Sequence, residues 1–134
     1  GFVYSSSTYP IKHDLYGVPQ WPRFIYERKE GITEIPIPTI RKKGVNVGIG
    51  GGGFYRLYPY WLSKKRIMAF MEAESAPYSF YFHPWEIDPE QPFIKEANWR
   101  SKFRHYINLS RMESKIERLL KDFNWGSMYD VYIK

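Results

Sequence analysis

The stretch GVNVGIGGGGFYRLYPYW, Gly44 to Trp61, constrains the fold more than any other part of the chain. Gly50 to Gly53 are four consecutive glycines. Each costs roughly 0.5–1 kcal/mol of extra backbone entropy relative to alanine. That loss is offset where a ligand or a neighbouring segment lies close to bare backbone, or where a loop needs positive φ. Gly48, Gly50 and Gly53 also match G-x-G-x-x-G formally. A dinucleotide loop needs a strand directly before it, a helix directly after, and an acid about 20 residues on at the end of a second strand. Here the segment ahead carries Pro36 and Pro38, and Glu72 and Glu74 fall at the end of a predicted helix. The glycines therefore point to close approach or turn geometry rather than to a nucleotide. Tyr55 and Arg56 follow directly, beside the same surface. Two uses fit: a sugar ring stacked on Tyr55 with Arg56 as hydrogen-bond donor, or a tight barrel-edge turn with Arg56 in an ion pair.

Proline and glycine punctuate the rest of the first half. GFVY predicts a short strand, and Pro10, Gly17, Pro19, Pro22 and Gly31 predict extended loop after it. ITEIPIPTI, residues 32–40, alternates like a strand. Pro36 and Pro38 cannot donate ladder hydrogen bonds, so it reads as an edge or short strand. Beyond the glycines, Pro59 suits the first turn of a helix. Trp61, Leu62, Ile67, Met68 and Met71 form its apolar stripe, Lys64 to Arg66 face water, and Pro77 marks its end. Tyr78, Phe80 and Phe82 alternate with Ser79 and Tyr81, which predicts a largely buried strand ending at His83-Pro84. Residues 98–105 predict a short helix. Ser110 and Glu113 have capping-box spacing ahead of a last helix. Its apolar face is Met112, Ile116, Leu119, Leu120 and Phe123, with Gly126 as terminator.

The 134 residues suit one domain, and 19% aromatic content is too apolar for a disordered chain. The net charge of +6 is scattered, so no run reads as a nucleic-acid arm and a solvated basic face is expected. Without cysteine there are no disulfides or thiolate metal sites. No apolar stretch approaches the roughly 20 residues that span a bilayer. No secretory leader pattern is visible in this chain, which leaves its compartment open. Gly1 is not a starting Met and GFVYSSS reads as mid-chain, so a piece of a longer protein is expected.

His83 closes an apolar run and is followed by Pro84, Trp85, Glu86 and Asp88. In α/β barrels a polar residue at the C-terminal end of a strand lies on the active-site face. Histidine titrates near neutrality and suits general acid–base work. A lone histidine is more commonly structural, and His13, beside Asp14, and His105, in a basic aromatic helix, read that way.

Taken together, GFVYSSSTYPIKHDLYGVP, GGGGFYRLYPYW, FYFHPWEIDPEQP and FRHYINLSRMESKIERLL resemble the C-terminal half of a polysaccharide deacetylase. The subgroup is the NodB-homology enzymes of bacterial exopolysaccharide loci that carry an extra C-terminal domain of unknown function. The resemblance covers nearly the whole chain. It implies a mixed α/β fold: the C-terminal part of a distorted (β/α) barrel over residues 1–88, then a helical extension over 89–134. It also implies a divalent, zinc-like metal held by one Asp and two His, which activates water against an N-acetyl group, with an Asp as base and a late His as acid. His83 matches the late His and would protonate the leaving amine. Tyr55, Arg56, Tyr81 and Trp85 would contact the N-acetylated polysaccharide.

The Asp-Asp pair and His-x-x-x-His that build the metal site have no counterpart in this sequence. The expected partner is therefore an N-terminal catalytic half, with no metal ligand supplied by this chain and no deacetylation by it alone. Ser5 stands where relatives commonly carry an Asp that helps hold a catalytic Arg from that half. Tyr81 stands where many have a Leu lining the acetyl pocket. The alternative is a non-catalytic glycan-binding or docking module. Strands that would pair with the other half are exposed edges, which invite an intertwined dimer.

Overall fold

The computed structural model describes residues 1–14 and 16–134. It shows a mixed α/β fold with two small sheets in the first half and helices after them. Among the described residues there is no closed barrel. The first sheet holds β1 (Tyr4–Ser5), β2 (Tyr26–Glu27) and β3 (Thr33–Glu34) in the order β1-β3-β2. β1 runs parallel to β3, with Tyr4 opposite Thr33, and β2 runs antiparallel, with Tyr26 opposite Glu34. Pro36 and Pro38 end β3 early, because neither can donate to a ladder. Glu34 is fully buried and holds the sheet to the next loop: its Oε1 accepts from the backbone N–H of Ser7 and of Thr8, each at 2.8 Å. Burial alone would raise its carboxyl pKa, but the hydrogen bonds from Ser7, Thr8 and Ser5 together lower it.

The second sheet is a hairpin of β4 (Thr39–Lys42) and β5 (Val45–Gly48), with Thr39 opposite Gly48 and Lys42 opposite Val45. Its two-residue turn is Lys43–Gly44, with φ of 48° and 79°. Two central residues at positive φ make a type I′ turn, whose twist matches the flanking strands. α1 (Gly52–Leu57) and α2 (Tyr60–Glu74) follow. Pro59 caps α2 from just outside rather than from its first turn. The buried face of α2 is Tyr60, Ser63, Ile67 and Phe70, whereas Trp61, Met68 and Met71 are exposed. The predicted stripe coincides with the true one at Ile67 but lies one residue, about 100°, away from it at Trp61, Met68 and Met71.

The buried strand expected over 78–82 does not form. Tyr81 makes a single parallel bridge to Gly51, through Tyr81 N–H to Gly50 O and Gly52 N–H to Tyr81 O, each at 3.0 Å. The neighbouring backbone turns into α1 at once, so no longer ladder is available. α3 (Trp99–Tyr106) starts from Asn98, whose side chain accepts from Ser101 N–H at 2.9 Å. The capping box at Ser110 is absent. Leu109–Arg111 is already a 3-10 turn, so α4 (Met112–Asp122) begins from coiled chain with no extended residue to cap it. α4 buries Met112, Lys115 and Leu119 but leaves Leu120 exposed. A fifth helix, α5 (Met128–Tyr132), capped by Ser127, has no counterpart in the sequence reading.

Tyr55, Tyr60, Ile67, Met112 and Leu119 form the core around which Tyr78, Phe80, Ile116 and Phe123 pack. Residues from before and after position 88 thus share one core. Two reciprocal contacts tie α1 to α4: Tyr55 Oη donates to Lys115 O at 2.6 Å, and Lys115 Nζ donates to Tyr55 O and to Tyr58 O. No described helix is long and apolar enough to cross a membrane.

Candidate functional site

The glycine run serves close approach, and the groups that approach belong to the protein itself. None of Gly48 and Gly50 to Gly53 has positive φ. A Cβ on Gly48 would lie 2.0 Å from Tyr9 Oη, one on Gly50 2.6 Å from Pro38 Cδ, and one on Gly51 3.0 Å from the Tyr81 ring. A Cβ on Gly52 would lie 2.0 Å from Glu86 Oε2. Only Gly53 faces open space. The bare backbone therefore makes room for side chains that carry the site, above all Glu86.

Glu86 belongs to the 3-10 turn Pro84–Ile87. Pro84 pre-sets φ at the first position of that turn. In a 3-10 turn, residues i and i+3 eclipse each other, which brings His83 and Glu86 face to face. Glu86 is 2% exposed, and its Oε1 lies 3.0 Å from His83 Nδ1 and 3.5 Å from His83 N. Its Oε2 lies 3.3 Å from Arg56 Nε. Arg56 is equally buried and places all but one of its remaining donors on backbone carbonyls: His105 O at 2.8 Å, Ile107 O at 3.0 Å and Arg104 O at 3.1 Å. Burial lowers the guanidinium pKa, and the charge of Glu86 opposes that shift. A buried ion pair with nearly every donor placed is the arrangement that offsets the cost of desolvating two charges.

His83 sits at the open end of this line. Its side chain is 55% exposed. The carboxylate of Glu86 can only accept, so Nδ1 carries the proton toward it, and Nε2 has no hydrogen-bond partner among the described residues. Trp85 lies between two imidazoles, with His83 at 5.5 Å and His105 at 4.3 Å between ring centroids, both nearly parallel to it. The Arg56 guanidinium lies 5.2 Å from the same indole. His105 is fixed in turn, with Nε2 2.6 Å from Gln91 Oε1. Tyr81 meets His83 edge-on at 5.8 Å. Burial first, then the charges of Tyr16 and Glu86, push its phenol up to about 12, so it stays a hydrogen-bond donor at neutral pH.

The structure brings His83, Tyr81 and Trp85 to one surface. Arg56 comes to the same place from inside. Tyr55 is 2% exposed and faces the core, edge-on to Tyr60 and Phe80, so neither Tyr55 nor Arg56 offers solvent a free face. Of the two uses open for Arg56 in the sequence, the ion pair is the one formed. Sequence reasoning missed the part played by Glu86. The signal was there: a carboxylate three residues after a histidine, with proline between, is the spacing a short 3-10 turn converts into contact.

Among the described residues no group of three or more His, Cys, Asp or Glu side chains converges to hold a metal. His83 and Glu86 are two, and Arg56 occupies the side of Glu86 where a cation would sit. The arrangement fits orientation and transfer of a proton at an imidazole.

No curated protein and no solved structure matches the chain. A family model described as a domain of unknown function (DUF3473) matches residues 6–133, which takes in every strand and helix after β1. The chain belongs to that family.

Proposed function

We propose that this chain is the C-terminal part of a metal-dependent polysaccharide N-deacetylase, and that His83 is the acid that protonates the departing amine. The observation that carries the reading is the line Arg56–Glu86–His83, buried at one end and exposed at the other. Hydrolysis of an N-acetyl group breaks a C–N bond whose nitrogen must take up a proton. A positioned imidazole supplies that proton near neutral pH. A carboxylate on the far ring nitrogen fixes tautomer and orientation, as in other acid–base histidines. Arg56 balances the charge of Glu86 and anchors it to the end of α3.

Tyr81 and Trp85 flank His83, where an N-acetylated sugar would lie, and Tyr81 adds a phenolic donor. A divalent metal held by the other half would supply activation of the attacking water. Its ligands belong to the other half, and this chain contributes proton transfer and orientation. Tyr55 and Arg56 are buried, so neither the deacetylase nor the alternative, a glycan-binding module without hydrolysis, keeps them as direct sugar contacts, and Tyr81 and Trp85 remain for both.

The coding sequence immediately upstream of Gly1 tests the reading. An Asp-Asp pair and a His-x-x-x-His in the same frame are expected. A start codon or leader directly before Gly1 would overturn the catalytic reading in favour of a stand-alone module.

A further inference from the structure

Beside residues 77–80, which lead into His83, lies an open pocket of about 250 Å³. Its walls are Met71 from α2, Phe80 from the segment itself, Phe123 and Trp125 from the chain after α4, and Met128 and Val131 from α5. Ser79 and Asn124 supply polar groups at the wall. The site described above uses none of these residues.

The volume narrows what can occupy the cavity. A water's share of liquid is about 30 Å³, and an apolar cavity of about 150 Å³ stays dry and takes benzene. Ordinary ligand pockets begin near 300 Å³. A helix, about 10–12 Å across with its side chains, does not fit. The pocket is open to solvent on one side, where Met71, Trp125 and Val131 are partly exposed, so a molecule seated there would take apolar surface out of water.

The tail is held in place at the rim. Trp125 Nε1 donates to Leu119 O at 3.1 Å, Tyr132 Oη donates to Pro77 O at 2.8 Å, and Ser127 caps α5 by accepting from Asp130 N–H at 3.1 Å. α5 buries none of its own residues, so it spans the cavity without filling it. We infer that this cavity binds a small, flat, mainly apolar molecule with one hydrogen-bonding end, one or two rings in size. Aromatic and thioether walls suit a ring on both faces, since methionine and aromatic side chains adapt to such shapes. The polar end meets Ser79 or Asn124. The inference does not depend on the deacetylase reading.

Titration of the 134-residue chain with 2-phenylethanol tests it, read by methyl and indole resonances. Saturable shifts are expected at Met71, Met128 and the Trp125 indole N–H. Met68, exposed on the same helix, and Met112, sealed in the core, are expected to stay still. Val131→Trp, at an exposed position on α5, should fill the cavity and weaken binding at least tenfold. Met128→Phe is a second blocking variant from the same wall, in case the first does not fold. Non-saturating shifts at all four methionines would overturn the inference, as would undiminished binding by a folded blocking variant. Shifts at Met71 and Met128 that follow protein concentration alone would also overturn it, by showing that a side chain of a second copy fills the space.

Discussion

Gly52 and Gly53 are neighbours at the start of α1, yet substitution at each meets different surroundings. At Gly52 a methyl group would collide with the carboxylate of Glu86, which Arg56 and His83 hold from both sides. Gly52→Ala should therefore destabilise by about 1–3 kcal/mol, the usual cost of overpacking a filled site. It should also release His83 from its partner. Gly53 has open space and no positive φ. Gly53→Ala should be neutral or stabilise by up to about 1 kcal/mol, because alanine restricts the unfolded chain and suits a helix. Urea unfolding of the two variants checks this, and equal effects would contradict the account. At this scale the sequence was half legible. Consecutive glycines announced a close approach, and the His-Pro-x-Glu spacing was on view. Which side chains fill the space is a long-range fact: Tyr9 and Glu86 lie far from the glycines they touch, and no local pattern ties them together.

Elements were legible where local chemistry decides them and illegible where partners do. Asn98 starts α3, readable from side-chain type, whereas the single edge strand read over 32–40 is split, with Thr33–Glu34 in one sheet and Thr39 and Ile40 in the other. The segment 78–82 has strand composition but only a two-bond partner, so tertiary context overrides it. The stripe on α2 was misread because Trp61 and Met71 are apolar yet exposed, while Ser63 is buried. Lys115 was equally invisible. It sits on the buried face of α4 and caps the C-terminal carbonyls of α1, a favourable place for a cation.

Burial first, then the charges of Arg56 and Arg111, push the Lys115 pKa down to about 8 from an ordinary 10.5. Between those values the unfolded chain binds more protons than the folded one, so stability rises with pH. Burial raises the phenol pKa of Tyr9, Tyr55, Tyr60 and Tyr78 above the ordinary 10. Their contribution is full below pH 10 and is lost above it. The urea midpoint should therefore climb from about pH 8 to 10 and then fall. In Lys115→Met the climb should vanish, and stability at pH 7 should drop by about 1–3 kcal/mol as two carbonyls lose their donor. A monotonic profile in the unmodified chain would contradict this.

At the scale of the whole molecule, the mixed α/β architecture implied by the family resemblance is the one the structure has. The number and length of strands were not legible, because prolines set where ladders stop and partners set whether they start. The open edges expected from the sequence are mostly blunt: β1 and β2 are two residues each. The four-residue strands of the β4–β5 hairpin remain, and among the described residues no further strand bonds to either. β4 and its turn carry Arg41, Lys42 and Lys43 on a chain of net charge +6. Basic residues on an edge repel a second copy. Pairing through this hairpin should therefore be weak at low salt and increase as salt screens the charge over about 10 Å at 0.1 M. Light scattering at 0.02 M and 0.5 M salt checks it, and a mass that does not change would count against edge pairing.

The central claim is that a deacetylase uses His83, held by Glu86, as its acid. The most direct measurement is acetate release from an N-acetylated polysaccharide by the parent protein, metal-binding half included, with and without His83→Ala. The account predicts a loss of roughly 10²–10⁴-fold in kcat. The unfolding midpoint should stay close to that of the unmodified protein, because His83 is more than half exposed. An undiminished rate, or unfolding with no specific loss of rate, would contradict it.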